Sequence, residues 1–243
     1  FDSNKFIQGF TDEEWKELST DENTPMFTRY ESTWVPGSSF KPITGAIGLT
    51  TDSFTATESF GSSTLSWQKD ESWGDYKVTT LTTYGGTANL RNALIFSDNV
   101  YFAKAAIKIG SEEFAKQLLN IGFDKELDFP IEMSASQFAE DNKFSSEIGL
   151  ADSGYGQGKV LVNPLHIASI YSAFVNEGNM IKPYIEYSST TKTNPEYWIE
   201  NAFTEDAAEE IKNDLVQVVE NSNGTGNEAK IKGITIARKT GTA

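Results

Sequence analysis

Three short motifs constrain this chain more than any other feature: Ser38–Lys41 (SSFK), Ser97–Asn99 (SDN) and Lys239–Thr242 (KTGT). Each of them occurs often by chance when it stands alone. All three in this order, separated by tens of residues, are a far more specific signal. They supply a serine followed by a lysine, a hydroxyl near an amide, and a second lysine. The combination indicates nucleophilic chemistry by a serine.

Composition narrows the class of protein further. The chain has 243 residues, a formal net charge of −15 and no cysteine. This length predicts one medium-sized domain with its own core. An acidic chain is a poor partner for nucleic acid, whose phosphates attract basic patches. The sequence has no run of 18 apolar residues that would predict a membrane-spanning helix. Disulfide and thiolate chemistry are excluded because cysteine is absent.

A single histidine, His166, limits how a serine could be activated. A Ser-His-Asp hydrolase would have to use this residue as its base. Asn163 and Pro164 precede it, and this pair predicts a capped helix with proline in its first turn. His166 is therefore predicted to be a structural residue on a largely buried helix. An activated serine in this chain would then depend on lysine.

The first motif has the spacing that a serine–lysine pair requires. Residues three apart on a helix share a face, so Ser38 and Lys41 are predicted to lie together. Lysine acts as a base only when its pKa falls, which burial and a second cation such as Lys239 both promote. A serine at a helix N-terminus would also have backbone N–H groups nearby to bind an oxyanion. The alternative is that Ser38 caps the helix and Lys41 is a solvated charge.

The other two motifs predict the remaining parts of a cleft. Ser97 and Asn99, two apart in a loop, are candidates for proton transfer and for holding a substrate amide. The alternative is that Ser97–Asn99 only caps the helix that follows. In the third motif Lys239 offers charge to a carboxylate, Thr240 and Thr242 share one strand face, and Gly241 leaves the backbone open to a substrate. The alternative is that Lys239–Thr242 belongs to an edge strand, on which the lysine prevents pairing with another chain.

Apolar periodicity and capping residues predict the secondary structure. Helices are predicted over residues 11–20, 39–49, 88–94 and 100–109, and from caps at Ser111, Asn163 and Thr204 onward. Short alternating runs predict strands and loops over 51–86, loops and turns over 123–148, and a strand over 231–242.

Further segments resemble one known family. These are Gly154–Gly158 (GYGQG), Asn163-Pro164, Tyr171–Ala173 (YSA) and Asn176–Gly178 (NEG). With the three motifs, they resemble class B monofunctional penicillin-binding proteins over most of the chain. Trp67–Gly74 (WQKDESWG) and Leu150–Ser153 (LADS) resemble most closely the low-affinity, β-lactam-resistant members from Gram-positive bacteria.

The resemblance implies a fold and a position in the cell. The fold is α/β (α+β), an antiparallel sheet flanked by helices plus a helical lobe. The family's first strands would precede residue 1 and its last strands would follow residue 243, so residues 1–243 are expected to be a transpeptidase domain incomplete at both ends. The enzyme would act on the extracytoplasmic face of the bacterial membrane. Its anchor would lie outside this chain.

The resemblance also implies a D,D-transpeptidase that cross-links peptidoglycan. Ser38 would be the acylated nucleophile, Lys41 its base, and Ser97 and Asn99 aids to proton transfer and substrate binding. The substrate carboxylate would be bound by the third motif, Lys239, Thr240, Gly241 and Thr242. The backbone N–H groups of Ser38 and Thr242 would form the oxyanion hole.

The expected partners follow from the same resemblance. They are peptidoglycan stem peptides, β-lactam antibiotics and other cell-wall synthesis proteins, with no nucleic acid. No metal or cofactor is implied.

Two other functions remain open from the sequence. A class A β-lactamase needs a carboxylate that activates water, and no convincing E-x-x-L-N segment lies between Asn99 and Lys239. A non-catalytic domain could instead bind glycan through its tryptophans, although most of these are expected to be packed. A β-lactam sensor with S-x-V in the second motif is disfavoured by Asn99.

Overall fold

The computed structural model describes residues 2–186 and 195–242. Nine α-helices lie within these residues: α1 Lys5–Gln8, α2 Asp12–Thr20, α3 Lys41–Thr50, α4 Leu90–Phe96, α5 Asn99–Ile109, α6 Ser111–Asn120, α7 Glu147–Ser153, α8 Pro164–Ala173 and α9 Glu205–Glu220. Four short strands lie there as well: β1 Ser66–Trp67, β2 Val78–Thr79, β3 Met180–Ile181 and β4 Tyr197–Ile199. No helix in the described ranges has the length and hydropathy needed to cross a bilayer.

The core is built around α3, which packs against α4, α5 and α9, while α5 also packs against α7. Close approach explains the glycines of α3. A Cβ at Gly48 would lie 2.0 Å from the ring of Phe54, and one at Gly45 would lie 3.0 Å from the side chains of Leu90 and Ile211. Helix α3 is buried from Lys41 through Gly48, and this burial fixes the start of the helix in the core.

Most predicted helices are confirmed, and their caps explain where they begin. Thr204 accepts a hydrogen bond from the Ala207 N–H at the start of α9, and Asp98 accepts bonds from the first turn of α5. The predicted cap at Ser111 is wrong, because Gly110 occupies the cap position and Ser111 is the first helical residue. Helix α7 begins inside the predicted loop region, where Gly149 weakens the helical signal.

Sheet structure in the described residues consists of two antiparallel pairs, β1 with β2 and β3 with β4. The predicted strand over residues 231–242 is wrong. A single bridge joins Ile231 to Ile234, and the segment then continues without regular structure. A strand requires a hydrogen-bonded neighbour, and the described part of the chain places no strand beside this segment. It is held instead by single bonds such as Arg238 N–H to the Leu215 carbonyl, at 3.2 Å.

Candidate active site

Ser38 lies in a 3₁₀ turn, Gly37–Phe40, that leads directly into α3. Gly37 has a φ of 52°, which glycine adopts without strain, and its N–H donates to the Gly156 carbonyl at 3.0 Å. The helical continuation places Lys41 Nζ 2.9 Å from Ser38 Oγ. The predicted serine–lysine pair is therefore within hydrogen-bonding distance.

Ser97 approaches Lys41 from the end of α4. Its φ and ψ of 57° and 46° lie in the left-handed region, which costs a non-glycine residue about 1–2 kcal/mol. This conformation turns both the carbonyl and the hydroxyl of Ser97 toward Lys41 Nζ, at 2.6 and 2.9 Å. The strained backbone conformation of Ser97 thus places the second motif in contact with the first.

Lys239 completes the cluster from the third motif. Its Nζ lies 2.8 Å from Ser97 Oγ, so this hydroxyl stands between the two lysines. Partial burial lowers the pKa of Lys239 to about 8. Lys239 also contacts the carbonyl and hydroxyl of Thr240, at 3.1 and 3.3 Å.

Burial makes Lys41 the chemically distinctive group of the cluster. Its side chain has no solvent exposure. Desolvation and the nearby charge of Lys239 lower the pKa of Lys41 well below its ordinary value, while the carboxylate of Asp98 opposes this. A neutral amine has two N–H donors and one lone pair. The Ser97 carbonyl can only accept, so it takes one donor. If Ser97 Oγ, which also accepts from Lys239, takes the second, the lone pair is left for the Ser38 hydroxyl.

Asn99 and Asp98 have separate functions in the second motif. The Asp98 side chain is buried, caps α5 and accepts a bond from the Tyr84 hydroxyl at 2.9 Å. The Asn99 side chain stands at the cleft and donates to the carbonyl of Thr79 in β2 at 2.8 Å. The capping alternative therefore holds for Asp98, while Ser97 and Asn99 both line the cleft.

The third motif runs beside the turn that carries Ser38. A Cβ at Gly241 would make ordinary contacts with Ser39 and Pro36, at 3.7 and 3.8 Å. The Ser38 N–H donates to the Thr242 carbonyl at 3.4 Å, so Thr242 presents its carbonyl here. The predicted oxyanion hole is therefore not formed in this geometry, because one of its two donors already has a partner.

Residues of all three motifs line a cleft of about 350 Å³, namely Ser38, Ser97, Asn99, Thr240 and Thr242. Its lining includes Thr225, Tyr155 and Gln157, which were not predicted as site residues. The sequence shows them only as parts of glycine-containing loops. Thr225 bonds to the Ile95 carbonyl through both its N–H and its hydroxyl, at 3.0 and 3.1 Å, and accepts from Thr240 Oγ1 at 3.3 Å.

His166 lies apart from this cleft, as predicted. It is fully buried, and its Nε2 lies 2.8 Å from the Ile121 carbonyl. A carbonyl only accepts, so Nε2 carries the proton and Nδ1 accepts from the Ser136 hydroxyl at 2.7 Å. Burial lowers the pKa of His166 to about 4, which keeps the ring neutral at neutral pH. The histidine is a structural residue.

His166→Gln is expected to reduce stability and to leave the chemistry of the cleft intact. Loss of two buried hydrogen bonds should cost about 1–3 kcal/mol in the free energy of unfolding. Thermal unfolding and covalent labelling of the same sample measure the two effects separately. A well-folded His166→Gln protein without labelling would contradict this assignment.

The fold brings a serine into hydrogen-bonding distance of a buried lysine, and the histidine bonds to Ser136 and Ile121 instead of to this cluster. A family model described as the penicillin binding protein transpeptidase domain matches residues 1–243, and the chain belongs to this family. The assignment to class B, predicted from the motifs, is confirmed.

Individual relatives agree with this assignment. Penicillin-binding protein 3 of Bacillus subtilis is 41% identical over 244 residues, which cover 100% of this chain and 36% of that protein. The peptidoglycan D,D-transpeptidase PbpA of Mycolicibacterium smegmatis is 27% identical, covering 94% of this chain and 47% of the relative. The chain thus spans less than half the length of these two curated relatives.

Solved structures confirm the fold. The D,D-transpeptidase domain of a peptidoglycan glycosyltransferase from Eggerthella lenta matches with a TM-score of 0.81 and 25% identity, covering 98% of this chain and 60% of that one. Penicillin-binding protein A from M. tuberculosis, solved as an imipenem acyl-enzyme complex, matches with a TM-score of 0.81 and 22% identity. That match covers 100% of this chain and 57% of the other.

Proposed function

We propose that this chain carries the active site of a peptidoglycan D,D-transpeptidase and is acylated by β-lactams at Ser38. The observation that carries the proposal is the continuous chain of contacts from Ser38 Oγ to Lys41 Nζ, Ser97 Oγ and Lys239 Nζ, each 2.8–2.9 Å long. Relatives whose names state this activity, and a structural neighbour solved as an imipenem acyl-enzyme, support the same chemistry.

The contacts assign each group a step. Neutral Lys41 takes the proton of the Ser38 hydroxyl as Oγ bonds to the carbonyl carbon of a D-Ala-D-Ala peptide. The C–N bond then breaks, and the leaving amine takes the proton that Lys41 has gained, passed on through the Ser97 hydroxyl. The amino group of a second stem peptide attacks the acyl-serine and gives up a proton to Lys41 as the new C–N bond forms. The ester C–O bond breaks, and Ser38 Oγ takes that proton from Lys41.

Binding groups surround this relay. Protonated Lys239 and the hydroxyls of Thr240 and Thr242 would hold the substrate carboxylate, with Gly241 leaving room for its approach. The Asn99 side chain would bind the substrate amide, exchanging its bond to the Thr79 carbonyl. The N–H of Ser38 would bind the oxyanion once the Thr242 carbonyl moves away.

The cellular setting is proposed on the same basis. Peptidoglycan stem peptides place the reaction on the outer face of the cytoplasmic membrane, where other cell-wall synthesis proteins would act beside it. A membrane anchor and reduced affinity for β-lactams, as in the resistant members that the motifs resemble, are further parts of this proposal.

Mass spectrometry of the full-length protein after benzylpenicillin treatment tests the proposal. A stable adduct at Ser38 is expected, since the described residues that line the cleft include no aspartate or glutamate to activate water for deacylation. Rapid loss of the adduct would instead support a β-lactamase. The absence of any adduct would support a non-catalytic binding domain.

Acylation is expected to decline in alkaline solution with a midpoint near pH 8. Lys239 is protonated below its pKa of about 8 and attracts the β-lactam carboxylate; above it the charge is lost. Burial lowers the pKa of Lys41 well below its ordinary value, and its neutral, basic form only increases as the pH rises, so titration of Lys41 does not produce this decline. The second-order rate constant of acylation, measured from pH 6 to pH 10, reports the pKa values of these groups in the free enzyme.

Lys239→Arg is the matched control for the alkaline decline in the acylation rate. A guanidinium keeps its charge throughout the range, so the decline near pH 8 should disappear even if the overall rate is lower. An unchanged alkaline limb in Lys239→Arg would assign it to another group.

A further inference from the structure

One side of the cleft is formed by residues 76–82, here called the outer wall. It includes β2, and its residues Thr80, Leu81 and Thr82 line the cleft. The carbonyl of Thr79 within it holds the Asn99 side chain at 2.8 Å. The position of the outer wall therefore affects both the width of the cleft and the orientation of a proposed substrate-binding group.

Local secondary structure holds this wall only weakly. Strand β2 pairs with β1 over two residues on each side, Ser66 with Thr79 and Trp67 with Val78. A hairpin this short is unstable without support from packing or side chains. Leu81 is 92% exposed, so the tip of the wall gains no support from the core.

Residues 154–158, here called the floor loop, form another part of the cleft lining. Close packing holds this loop in place. A Cβ at Gly156 would lie 2.2 Å from the Gly37 carbonyl oxygen, and one at Gly154 would lie 2.3 Å from that of Phe102. The buried Thr44 hydroxyl donates to the Gly154 carbonyl at 2.8 Å. The floor loop is thus packed directly against the turn that carries the nucleophile.

Asp152, at the end of α7, joins the two sides. One oxygen of its carboxylate, Oδ1, accepts hydrogen bonds from the hydroxyls of Tyr76 in the outer wall and Tyr155 in the floor loop. The two phenol oxygens lie 3.4 Å apart. Burial and the Asp152 carboxylate raise the pKa of Tyr76 to about 12, so its hydroxyl keeps the proton that it donates.

A second carboxylate of α7 holds the segment that precedes the outer wall in the sequence. Glu147 accepts a bond from Trp73 Nε1 at 3.0 Å and pairs with Lys69. Hydrogen bonds to a charged acceptor are about twice as strong as neutral ones. Helix α7 therefore holds the segment before the wall through Glu147 and the wall itself through Asp152, which also contacts the cleft residue Tyr155.

We propose that Asp152 is a positioning residue for substrate binding, which ties the outer wall to the floor loop through Tyr76 and Tyr155. This role rests on the proposed transpeptidase function. The hydrogen bonds of Ser38, Lys41 and Ser97 in the described structure involve none of these three residues. Loss of the tie should therefore weaken binding before acylation and change the limiting acylation rate much less.

Acylation by benzylpenicillin, followed over a range of concentrations in the full-length protein, separates these two quantities. Asp152→Ala is expected to raise the apparent dissociation constant roughly tenfold, with the limiting rate little changed. Asp152→Asn should restore most of the binding, since an amide oxygen still accepts both phenol hydrogens. Glu140→Ala, which removes an exposed carboxylate paired with Lys159, is the control and should behave as wild type.

Two further measurements keep the test decisive. Tyr76→Phe deletes a single hydroxyl and should raise the same constant several-fold, even if Asp152→Ala folds poorly. Hydrogen exchange over residues 69–82 should accelerate in Asp152→Ala and Tyr76→Phe and stay unchanged in Glu140→Ala.

An unchanged dissociation constant in Asp152→Ala and Tyr76→Phe, with the wild type labelled normally, would overturn the role of Asp152 alone. A fall in the limiting rate without a change in the dissociation constant would overturn it as well. A wild-type protein that is not labelled would reject the proposed function and this role together.

Discussion

Ser38→Ala is expected to abolish covalent labelling by β-lactams while the protein stays folded. The Ser38 hydroxyl is the proposed nucleophile, whereas the other hydroxyl beside Lys41, that of Ser97, is proposed to transfer protons. Among the described residues, the Ser38 side chain hydrogen bonds to Lys41, which keeps its bonds to the carbonyl and hydroxyl of Ser97. Loss of this single hydrogen bond should cost about 1 kcal/mol in the free energy of unfolding. Intact-protein mass spectrometry and thermal unfolding measure the two effects.

The neighbouring serine is a matched control. Ser39 Oγ donates to the Pro36 carbonyl at 2.6 Å and has no hydrogen bond to the lysines in the described structure. Ser39→Ala should therefore keep its labelling. Persistent labelling of Ser38→Ala, mapped to another residue, would remove Ser38 from its proposed role.

Lys41→Met should lower the acylation rate by roughly 10²–10⁴-fold, the usual contribution of a general base. Methionine has a similar length and suits the fully buried position, so the fold should be preserved. Reversible binding of the β-lactam should change little, because the carboxylate is proposed to bind Lys239 and the two threonines. Stopped-flow kinetics over a range of inhibitor concentrations measure binding and acylation separately.

Substitution of a lysine outside the cleft shows whether the loss of acylation is specific to Lys41. Lys104 donates to the Phe60 carbonyl at 3.1 Å and does not line the cleft. Lys104→Met should acylate at the wild-type rate. If Lys41→Met also acylated at the wild-type rate, Lys41 would be excluded as the base.

The proposed catalytic cluster was predictable in part because one of its pairs, Ser38 and Lys41, is local in the sequence. The SSFK spacing at a helix start places Ser38 beside Lys41 whatever the rest of the chain does. The single histidine at position 166 already pointed to lysine as the base. The approach of Lys239 was inferred from the need for a second cation, and its contact with Ser97 agrees with that inference.

The rest of the cleft depends on contacts that no local pattern encodes. Ser97, which ends α4, has a left-handed conformation, and a serine shows no preference that would predict it. Tyr155 and Thr225 lie in glycine-containing loops whose direction is decided by distant partners. The strand predicted over 231–242 had the right alternation, but alternation describes side-chain faces and does not supply a hydrogen-bonded neighbour.

The two lysines of the cluster, Lys41 buried and Lys239 partly buried, also couple folding of this domain to protons in solution. Both lysines have lowered pKa values in the folded protein, that of Lys239 to about 8. In the unfolded chain both would titrate near 10.5, so between about pH 8 and 10.5 the unfolded chain binds more protons than the folded one. Stability from this pair therefore rises with pH across that window and is lost as pH falls through the folded pKa values. The cluster that prepares a neutral amine for catalysis thus releases protons on folding and stabilises the domain least in neutral and acidic solution.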